Sequence, residues 1–399
     1  MVNEKSKELG SNPSVIRDLF EYGKKRKQEI GENKVFDFSI GNPSVPPPKS
    51  ITNALISLLQ TSNPTTLHGY TSAVGDKGVR EAISDYLNKT YDTKTTADLI
   101  YLTAGAAASL TITLNAVLNK DDEVIVFAPF FPEYTVFIEK AGGVVKVVEP
   151  IKTNFTPNLE MLEKTITKKT KAVIINSPNN PTGVMLKEED IKVICAILNK
   201  KQKEFNSTIY LISDEPYREL VYTQDKYPFI TNYYKDSIVC YSFSKSVSLP
   251  GERIGYILVS PQTLNAKEVF AAICGAGRAL GFVCAPALFQ YLIPHCLGKT
   301  SDLSVYKKNR DLLSSALIEY GYEVVSPDGA FYLFVKALEE DAVAFSENAK
   351  QFELLLVPSN SFGLEGYTRI SYCVSTKQIK NSLPAFKKLI DFYKNKSEK

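Results

Sequence analysis

Short apolar runs rich in β-branched residues recur along most of the chain. They are bounded by turn residues and lie at 99–103, 124–128, 144–148, 172–176, 209–213, 238–242 and 255–259. Amphipathic segments, such as 184–203, separate several of them. Uniformly apolar strands that alternate with helices are typical of a parallel sheet covered on both faces. The pattern predicts an α/β fold with a large, mostly parallel sheet of seven strands.

The pattern changes after about residue 290. The elements predicted beyond it are a long polar helix at 301–320, shorter strands at 329–335 and 367–372, and a final helix at 377–395. Nearer the start, a strand-like run, VFDFSI (35–40), precedes the proline-rich loop GNPSVPPP (41–48). We therefore predict a large domain over 49–290 and a smaller α+β domain formed by both chain ends, 1–48 and 291–399.

Composition and charge narrow the class of protein. Of the 399 residues, 44% are hydrophobic and 23% are charged, as in ordinary globular enzymes. Lys plus Arg number 47 and Asp plus Glu 44, so the charge balance gives no reason to expect a nucleic acid or a membrane as partner. The segment MVNEKSKELGSN (1–12) contains no apolar stretch, so we expect no signal peptide and a cytoplasmic protein.

One segment, at 271–293, approaches the length of a membrane span. Arg278, three glycines and Pro286 interrupt it, so we expect a buried core segment instead. Only two histidines, His68 and His295, accompany the cysteines, and no Cys-x-x-Cys pair occurs, so we expect neither a metal site nor a disulfide framework. The six cysteines, which we expect to be reduced and mostly buried, are Cys195, Cys240, Cys274, Cys284, Cys296 and Cys373.

Unusual polar or small residues follow directly after four of the predicted strands. The segments after 99–103, 172–176, 209–213 and 238–242 are AGAAASLTITL (104–114), SPNNPTG (177–183), DEPY (214–217) and FSK (243–245). In open α/β sheets, ligands bind at the carboxyl ends of the strands. The first of these segments opens a helix with small residues, and backbone amides at such a start bind phosphate well. We therefore predict a ligand site that includes a phosphate group at this edge of the sheet.

Lys245 is the main candidate for chemistry because of the residues around it. A lysine becomes a nucleophile towards carbonyls when desolvation or a nearby cation lowers the pKa of its ammonium group. Ser242, Ser244 and Arg253 lie in the same short segment and supply hydrogen-bond donors for a phosphate. A lysine that forms a Schiff base beside a phosphate site is the arrangement that a pyridoxal-phosphate enzyme requires.

The chain resembles the fold type I pyridoxal-phosphate enzymes of the class I/II aminotransferases, the group that contains aspartate and alanine aminotransferases. The resemblance covers about residues 35–373 and depends on four segments in matching order and spacing, SPNNPTG (177–183), SDEPY (213–217), SFSKSVSLPGERIGY (242–256) and TRISY (368–372). It implies that an L-amino acid such as aspartate or alanine gives its amino group to a 2-oxo acid such as 2-oxoglutarate. The transfer would be a ping-pong reaction through a Schiff base at Lys245.

The resemblance also implies how pyridoxal 5′-phosphate is held. Asp214 faces the pyridine nitrogen, and a carboxylate about 4 Å from that nitrogen, at an effective dielectric near 20, is worth on the order of 4 kcal/mol, which keeps the ring protonated. Tyr217 and Asn180 bind the phenolic oxygen, and Phe131 stacks on the ring where the family often has tryptophan, which this chain lacks. The phosphate is bound by Ser242, Ser244, Arg253 and the backbone of Gly105, Ala106 and Ala107, where two alanines replace more polar residues of some relatives.

Simpler structural roles stay open for three of these features. Asp214 suits a helix N-cap after a strand. SPNNPTG has the composition of an ordinary turn. Phe131 suits core packing.

Four further residues match substrate and subunit positions of the family. Arg369 matches the arginine that binds the substrate α-carboxylate in two-pronged fashion, and Gly41 a point where the backbone approaches the substrate. Arg278 lies near the arginine that binds the distal carboxylate of dicarboxylic substrates; an arginine within an apolar segment also suits a structural ion pair. Tyr70 matches a tyrosine that reaches the phosphate of the neighbouring subunit, which implies a homodimer with shared sites, although it could instead fill a turn.

Two other functions are considered. A β-eliminating C–S lyase on the same scaffold would share Lys245 and the proton abstraction. A non-catalytic, cofactor-sensing module would be fused to a basic DNA-binding region, and the roughly 35 residues before the match are too few for one. The segments SPNNPTG (177–183) and LPGERIGY (249–256) favour the aminotransferase.

Overall fold

The structure, a computed structural model, describes residues 2–11 and 14–397. The chain forms two compact units, one from 45–179 and 184–303 and the other from 1–44, 180–183 and 304–399. Residues 1, 12, 13, 398 and 399 lie outside the described residues. All five belong to the predicted small domain, and residues 1 and 12 also belong to the segment 1–12 in which no signal peptide is expected. The predicted domain boundaries stay a prediction.

The secondary-structure elements are numbered in chain order. The strands are β1 (Phe36–Asp37), β2 (Ile100–Thr103), β3 (Glu123–Phe127), β4 (Val144–Val148), β5 (Pro150–Ile151), β6 (Thr156–Pro157), β7 (Thr170–Asn176), β8 (Tyr210–Asp214), β9 (Ser237–Ser242), β10 (Gly255–Val259), β11 (Val324–Val325), β12 (Tyr332–Lys336), β13 (Leu354–Leu355), β14 (Val357–Pro358) and β15 (Tyr367–Ser371). The helices are α1 (Glu4–Ser11), α2 (Val15–Ile30), α3 (Lys49–Thr61), α4 (Pro64–Leu67), α5 (Lys77–Tyr91), α6 (Ala106–Val117), α7 (Glu133–Lys140), α8 (Leu159–Thr165), α9 (Glu188–Phe205), α10 (Phe243–Ser246), α11 (Ala266–Ala279), α12 (Ala287–Cys296), α13 (Leu303–Tyr320), α14 (Ala342–Lys350) and α15 (Thr376–Ser397).

The first unit is built on a seven-stranded sheet in the order β2-β10-β9-β8-β7-β3-β4. The four pairings from β9 to β4 are parallel, and β10 runs antiparallel to both of its neighbours. All seven predicted strands are present with ends shifted by no more than one or two residues, so the prediction of a large, mostly parallel sheet is confirmed. The reversed direction of β10 could not be predicted from its sequence, because a buried strand has the same apolar pattern in either direction.

Alternate residues of each strand pack on opposite faces of this sheet. In β3, Val124 and Val126 belong to one apolar cluster and Ile125 to the other. The cluster that contains Ile125 also receives residues of α5, α9 and α12, and the opposite cluster receives residues of α6, α7 and α11. Helices therefore cover both faces, which explains why the strands are apolar throughout.

The second unit contains an antiparallel sheet in the order β11-β12-β15-β14 and a parallel pair of β1 with β13. The helices predicted at 301–320 and 377–395 correspond to α13 and α15. Only Phe36 and Asp37 of the run VFDFSI form a strand, and they pair with Leu354 and Leu355.

The apolar segment 271–293 is divided between α11 and α12. No helix among the described residues has both the length and the apolarity needed to cross a membrane. All six cysteines are free; Cys274 and Cys284 are half-buried and the other four are buried, as predicted.

Candidate active site

The strand ends at one edge of the seven-stranded sheet bring the predicted cofactor residues together. Asn176 at the end of β7 lies opposite Asp214 at the end of β8. Ser242, at the end of β9, lies opposite Gly255 at the start of β10, and Gly255 lies opposite Thr103 at the end of β2. The carboxyl ends of four strands therefore share this edge with the amino end of β10, as the sequence predicts.

Asp214 is buried at this edge, with 4% of its surface exposed. Its Oδ2 atom accepts a hydrogen bond of 2.6 Å from the Tyr134 hydroxyl, whereas its Oδ1 atom is buried and has no hydrogen-bond partner among the described residues. Burial raises the pKa of Asp214 to about 7; the Tyr134 hydrogen bond opposes this shift and the nearby Glu215 adds to it. Such a carboxylate is suited to a cationic donor placed at Oδ1. The helix N-cap alternative is wrong, because a turn and no helix follows β8.

Tyr134 is a site residue that the sequence prediction missed. It is buried in the first turn of α7, and the Phe131 ring lies 5.7 Å from its ring in an edge-on arrangement. Phe131 itself is half-buried, so packing on Tyr134 and a contact with a ligand are both compatible with its position. The spacing of Phe131 and Tyr134 is the only sequence signal, since the contact with Asp214 spans 80 positions.

Lys245 lies in the short helix α10, which directly follows β9, and is half-buried. The Ser242 hydroxyl caps this helix by accepting a hydrogen bond of 3.2 Å from the backbone N–H of Ser244, and the two hydroxyl oxygens lie 2.7 Å apart. Tyr217, three residues after Asp214, is buried with 5% of its surface exposed. The strand-to-helix transition thus fixes the backbone on both sides of the candidate nucleophile.

The start of α6 lies beside Arg253. Gly105 is the N-cap residue, with φ of 88°, and a Cβ atom there would lie 2.9 Å from the Arg253 Nη2 atom. Arg253 donates to the carbonyl of Ala104 (3.3 Å) and to that of Pro250 (2.9 Å). The first amides of a helix lack acceptors within the helix, so they and the guanidinium together favour an anion such as a phosphate.

In the second unit, Arg369 is buried with 2% of its surface exposed. Its Nη1 atom donates to Asn180 Oδ1 (3.0 Å) and its Nη2 atom to the carbonyl of Ser39. The guanidinium carbon lies 4.6 Å from the centre of the Tyr332 ring and 5.2 Å from that of Phe362. These contacts fix the plane of a guanidinium, which two-pronged binding of a carboxylate requires.

Gly41 lies in the same unit, where a Cβ atom would overlap the Tyr332 hydroxyl. The Tyr332 side chain therefore leaves room only for glycine at position 41. The expected approach of a substrate to the Gly41 backbone stays a prediction. Tyr332, which also contacts Arg369, was missed by the sequence prediction because an aromatic residue in an apolar strand gives no functional signal.

Comparison with known proteins places this geometry in a family. The family model for aminotransferases of class I and II matches residues 33–386. The chain belongs to this family. It is accordingly an enzyme of the transaminase class.

Individual aminotransferases resemble the chain over nearly all of its length. The crystal structure of an amino transferase from Eubacterium rectale is 51% identical and superposes with a TM-score of 0.96, covering 98% of this chain and 99% of that one. The aspartate aminotransferase of Thermotoga maritima is 32% identical over 88% of this chain and 89% of its own length. A probable N-acetyl-LL-diaminopimelate aminotransferase of Bacillus subtilis is 29% identical over 88% of this chain and 87% of its own.

Two residues that the aminotransferase resemblance singled out are exposed in the single chain. Tyr70 is 100% exposed in the loop between α4 and α5, which suits both a contact with a second subunit and an ordinary turn residue. Arg278 lies on the exposed side of α11. The premise of an arginine buried in an apolar segment is therefore wrong, because Arg278 is exposed on α11.

Replacing Tyr134 with phenylalanine in this aminotransferase is expected to lower kcat about tenfold, because a hydrogen bond to a charged group is worth about 1.5–3 kcal/mol. In the wild-type enzyme, the hydrogen bond from Tyr134 lowers the pKa of Asp214. Its removal should therefore raise that pKa and move the acidic limb of the kcat–pH profile to higher pH. Tyr234→Phe is the control, since the Tyr234 hydroxyl donates to the carbonyl of Ile209. An acidic limb that does not move would show that Tyr134 has no influence on Asp214.

Proposed function

We propose that the enzyme uses pyridoxal 5′-phosphate and moves an amino group between an L-amino acid, such as aspartate or alanine, and a 2-oxo acid, such as 2-oxoglutarate. The single observation that carries the proposal is the buried Asp214 carboxylate. Tyr134 donates to one of its oxygen atoms, and the other has no hydrogen-bond partner in the part of the chain that the structure describes. A protonated pyridine nitrogen is the donor that suits this oxygen atom. When bound, the cofactor supplies an aldehyde that condenses with amines and a ring that withdraws electrons from the substrate α-carbon.

The residues of the first unit fit the other parts of the cofactor. The Arg253 guanidinium, the Ser242 and Ser244 hydroxyls and the amides at the start of α6 suit a phosphate, and the helix start adds its positive dipole end. The two alanines at 106 and 107 leave only amide contacts there. Tyr217 would donate to the phenolic oxygen, and Phe131 would cover one face of the ring.

Lys245 has two tasks in the proposed reaction. Its Nζ atom holds the cofactor in the resting enzyme and, once replaced there by the substrate amine, accepts the proton of the substrate α-carbon. Asp214 would stay ionised opposite the ring nitrogen and keep that nitrogen protonated.

Arg369 is proposed to bind the α-carboxylate that every amino-acid substrate carries. Its plane is fixed by Tyr332, Phe362 and the Asn180 amide oxygen. The family resemblance assigns the phenolic oxygen of the cofactor to Asn180 as its partner. Aspartate is a candidate substrate because the relatives named above include an aspartate aminotransferase. The C–S lyase has no support among these relatives.

A homodimer is proposed from Tyr70. A fully exposed tyrosine hydroxyl in the loop before α5 is available to a second copy of the chain, where the family resemblance gives it the phosphate as partner. Size measurement of the purified protein, with Tyr70→Phe tested for weaker cofactor binding, examines this part of the proposal.

The test of the proposed function is a spectroscopic and catalytic assay of the purified enzyme. Saturation with pyridoxal 5′-phosphate is expected to produce a visible absorbance band, and aspartate or alanine with 2-oxoglutarate is expected to yield glutamate. Cystathionine without an oxo acid should release no ammonia. A protein that shows no such band after saturation with the cofactor and removal of the unbound excess would rule the proposal out.

Replacing Arg278 with alanine is expected to reduce kcat/KM for aspartate about 100-fold and for alanine no more than about threefold, because a paired guanidinium and carboxylate are worth a few kcal/mol. An exposed arginine on α11 can act on the site of a second subunit in this way. The measurement is kcat/KM for a panel of amino acids with 2-oxoglutarate. Lys267→Ala, an exposed cation on the same helix, is the control. Equal losses for acidic and neutral substrates would assign Arg278 a structural role.

A further inference from the structure

A buried arginine, Arg218, lies directly behind the turn that carries Asp214 and Tyr217. Only 1% of its side chain is exposed. Its Nη1 atom donates to Glu215 (2.9 Å) and its Nε atom to Glu219 (3.2 Å). One cation thus joins two carboxylates of the same turn, which has the sequence DEPYRE (214–219).

Aromatic residues from other elements enclose the same guanidinium. Its carbon lies 4.1 Å from the centre of the Tyr241 ring, 5.3 Å from that of Tyr91 and 5.4 Å from that of Phe229. Its Nη2 atom donates to the Tyr256 hydroxyl (3.0 Å). Each contact has the geometry of a favourable cation–π or hydrogen-bond interaction, so the position of Arg218 is fixed from several sides.

Arg218 and its partners fix the orientation of the turn that carries Asp214 and Tyr217. Glu215 is completely buried, accepts from the Ser213 hydroxyl (2.8 Å) and donates its backbone N–H to the carbonyl of Cys240 (2.9 Å). Glu215 and Arg218 immediately follow Asp214 and Tyr217 in the chain, and these contacts fix their positions. A rotation of this turn would move both of those side chains together.

The same cluster reaches the segment of Lys245 and the helix of the phosphate site. The Tyr241 hydroxyl lies 3.1 Å from the Ser246 hydroxyl, next to Lys245 in α10. The backbone carbonyl of Tyr256 accepts from the Ser109 hydroxyl of α6 (3.4 Å). The guanidinium is thus connected, through one tyrosine in each case, to two further segments that carry candidate site residues.

We propose that Arg218 is a positioning residue of the amino-transfer reaction, which sets the relative placement of Asp214, Tyr217 and Lys245 from behind the site. The inference depends on the function proposed above. A buried ion pair seldom makes a protein more stable than apolar residues of the same volume, so the benefit of this one is geometric. Lysine cannot replace it, because a single ammonium group cannot hold both carboxylates and the Tyr256 hydroxyl in fixed directions.

The test compares Arg218→Lys with Arg80→Lys in the cofactor-loaded enzyme. Arg80 is a matched control, being a buried arginine of the same unit that donates to the backbone carbonyls of Gly75 and Ala97. Arg218→Lys is expected to lower kcat about 100-fold, the effect of a displacement of about 1 Å at a reacting centre. The KM for the amino donor should change by no more than about threefold, because the carboxylate site at Arg369 is untouched. Circular dichroism of the bound cofactor, which reports its placement without turnover, should also change.

The outcomes separate the two levels of the proposal. Arg80→Lys should lose thermal stability without a change in kcat or in the dichroism; the same result for Arg218→Lys would overturn the positioning role. If Arg218→Lys does not fold, Tyr256→Phe decides, since it removes one acceptor of Arg218 and keeps the ring; a kcat lowered about threefold is expected, and an unchanged kcat overturns the inference. A wild-type protein that shows the dichroism but no amino transfer would contradict the proposed function alone, while the dichroism of the variants still tests Arg218.

Discussion

Replacing Lys245 with alanine is expected to lower the rate of amino transfer by roughly 10⁵-fold, because the residue is proposed both to hold the cofactor and to move the α-proton, and groups that act as a unit show losses of this size. Alanine leaves α10 intact, since the cap is formed by Ser242 and Ser244. The expected result is a folded protein that still binds the cofactor through its phosphate and ring contacts. Its absorbance should change to that of the unattached cofactor, together with the loss of activity.

The measurement combines steady-state rates with reductive trapping. Borohydride treatment of the wild-type enzyme should add the mass of the reduced cofactor to the peptide that contains Lys245, and Lys245→Ala should show no such adduct. Lys168→Ala, which removes an exposed lysine of the same unit, is the control and should behave as wild type. Turnover retained in Lys245→Ala, or an adduct on another lysine, would show that the central base lies elsewhere.

The fold could be predicted closely because its signal is local. Each strand of the large sheet is a short apolar run between turn residues, and burial on both faces demands this pattern whatever the neighbouring strand is. The starts of elements were less accurate. The amphipathic segment 184–203 is helical only from Glu188, because Val184, Met185 and Leu186 are buried in a non-helical segment before it. Apolar residues just before a helix resemble its first turn in sequence.

Only those parts of the site that lie within one short segment of the sequence could be predicted. Asp214, Tyr217 and Lys245 lie directly after strands, so their common edge follows from the direction of those strands. The contacts of Tyr134 with Asp214 and of Tyr332 with Arg369 join distant segments, and the sequence gives no measure of such distances. In the sequence, Arg218 is one of several charged residues in a predicted turn, whereas in the structure its side chain is almost completely buried. Arg278 shows the opposite error, since it is exposed on α11 although most of the residues around it in sequence are apolar.

Replacing Asp214 with asparagine is expected to have opposite effects on activity and on the stability of the cofactor-free enzyme. The loss of charge opposite the ring nitrogen removes on the order of 4 kcal/mol of electrostatic stabilisation, so kcat should fall about 10³-fold. In the cofactor-free enzyme, the same carboxylate is buried, and one of its oxygen atoms has no partner among residues 2–11 and 14–397. Its pKa is raised from 3.8 to about 7. A group whose pKa is higher in the folded state stabilises the protonated folded form, so this carboxylate lowers the free energy of unfolding as pH rises from about 4 to about 7.

Asparagine does not ionise, so the variant escapes that loss. Its advantage over the wild type in the cofactor-free state should therefore grow by about 2–3 kcal/mol between pH 5 and pH 8, measured as the free energy of unfolding in urea. Comparing the two pH values cancels the constant effect of the unpaired amide group. Asp236→Asn is the matched control, because Asp236 is a buried aspartate that accepts hydrogen bonds from the backbone N–H of Leu264 and from Gln202. An advantage of Asp214→Asn that is the same at both pH values would mean that the Asp214 carboxylate already has a partner in the cofactor-free enzyme, and the main support for a cationic ring nitrogen at that position would be lost.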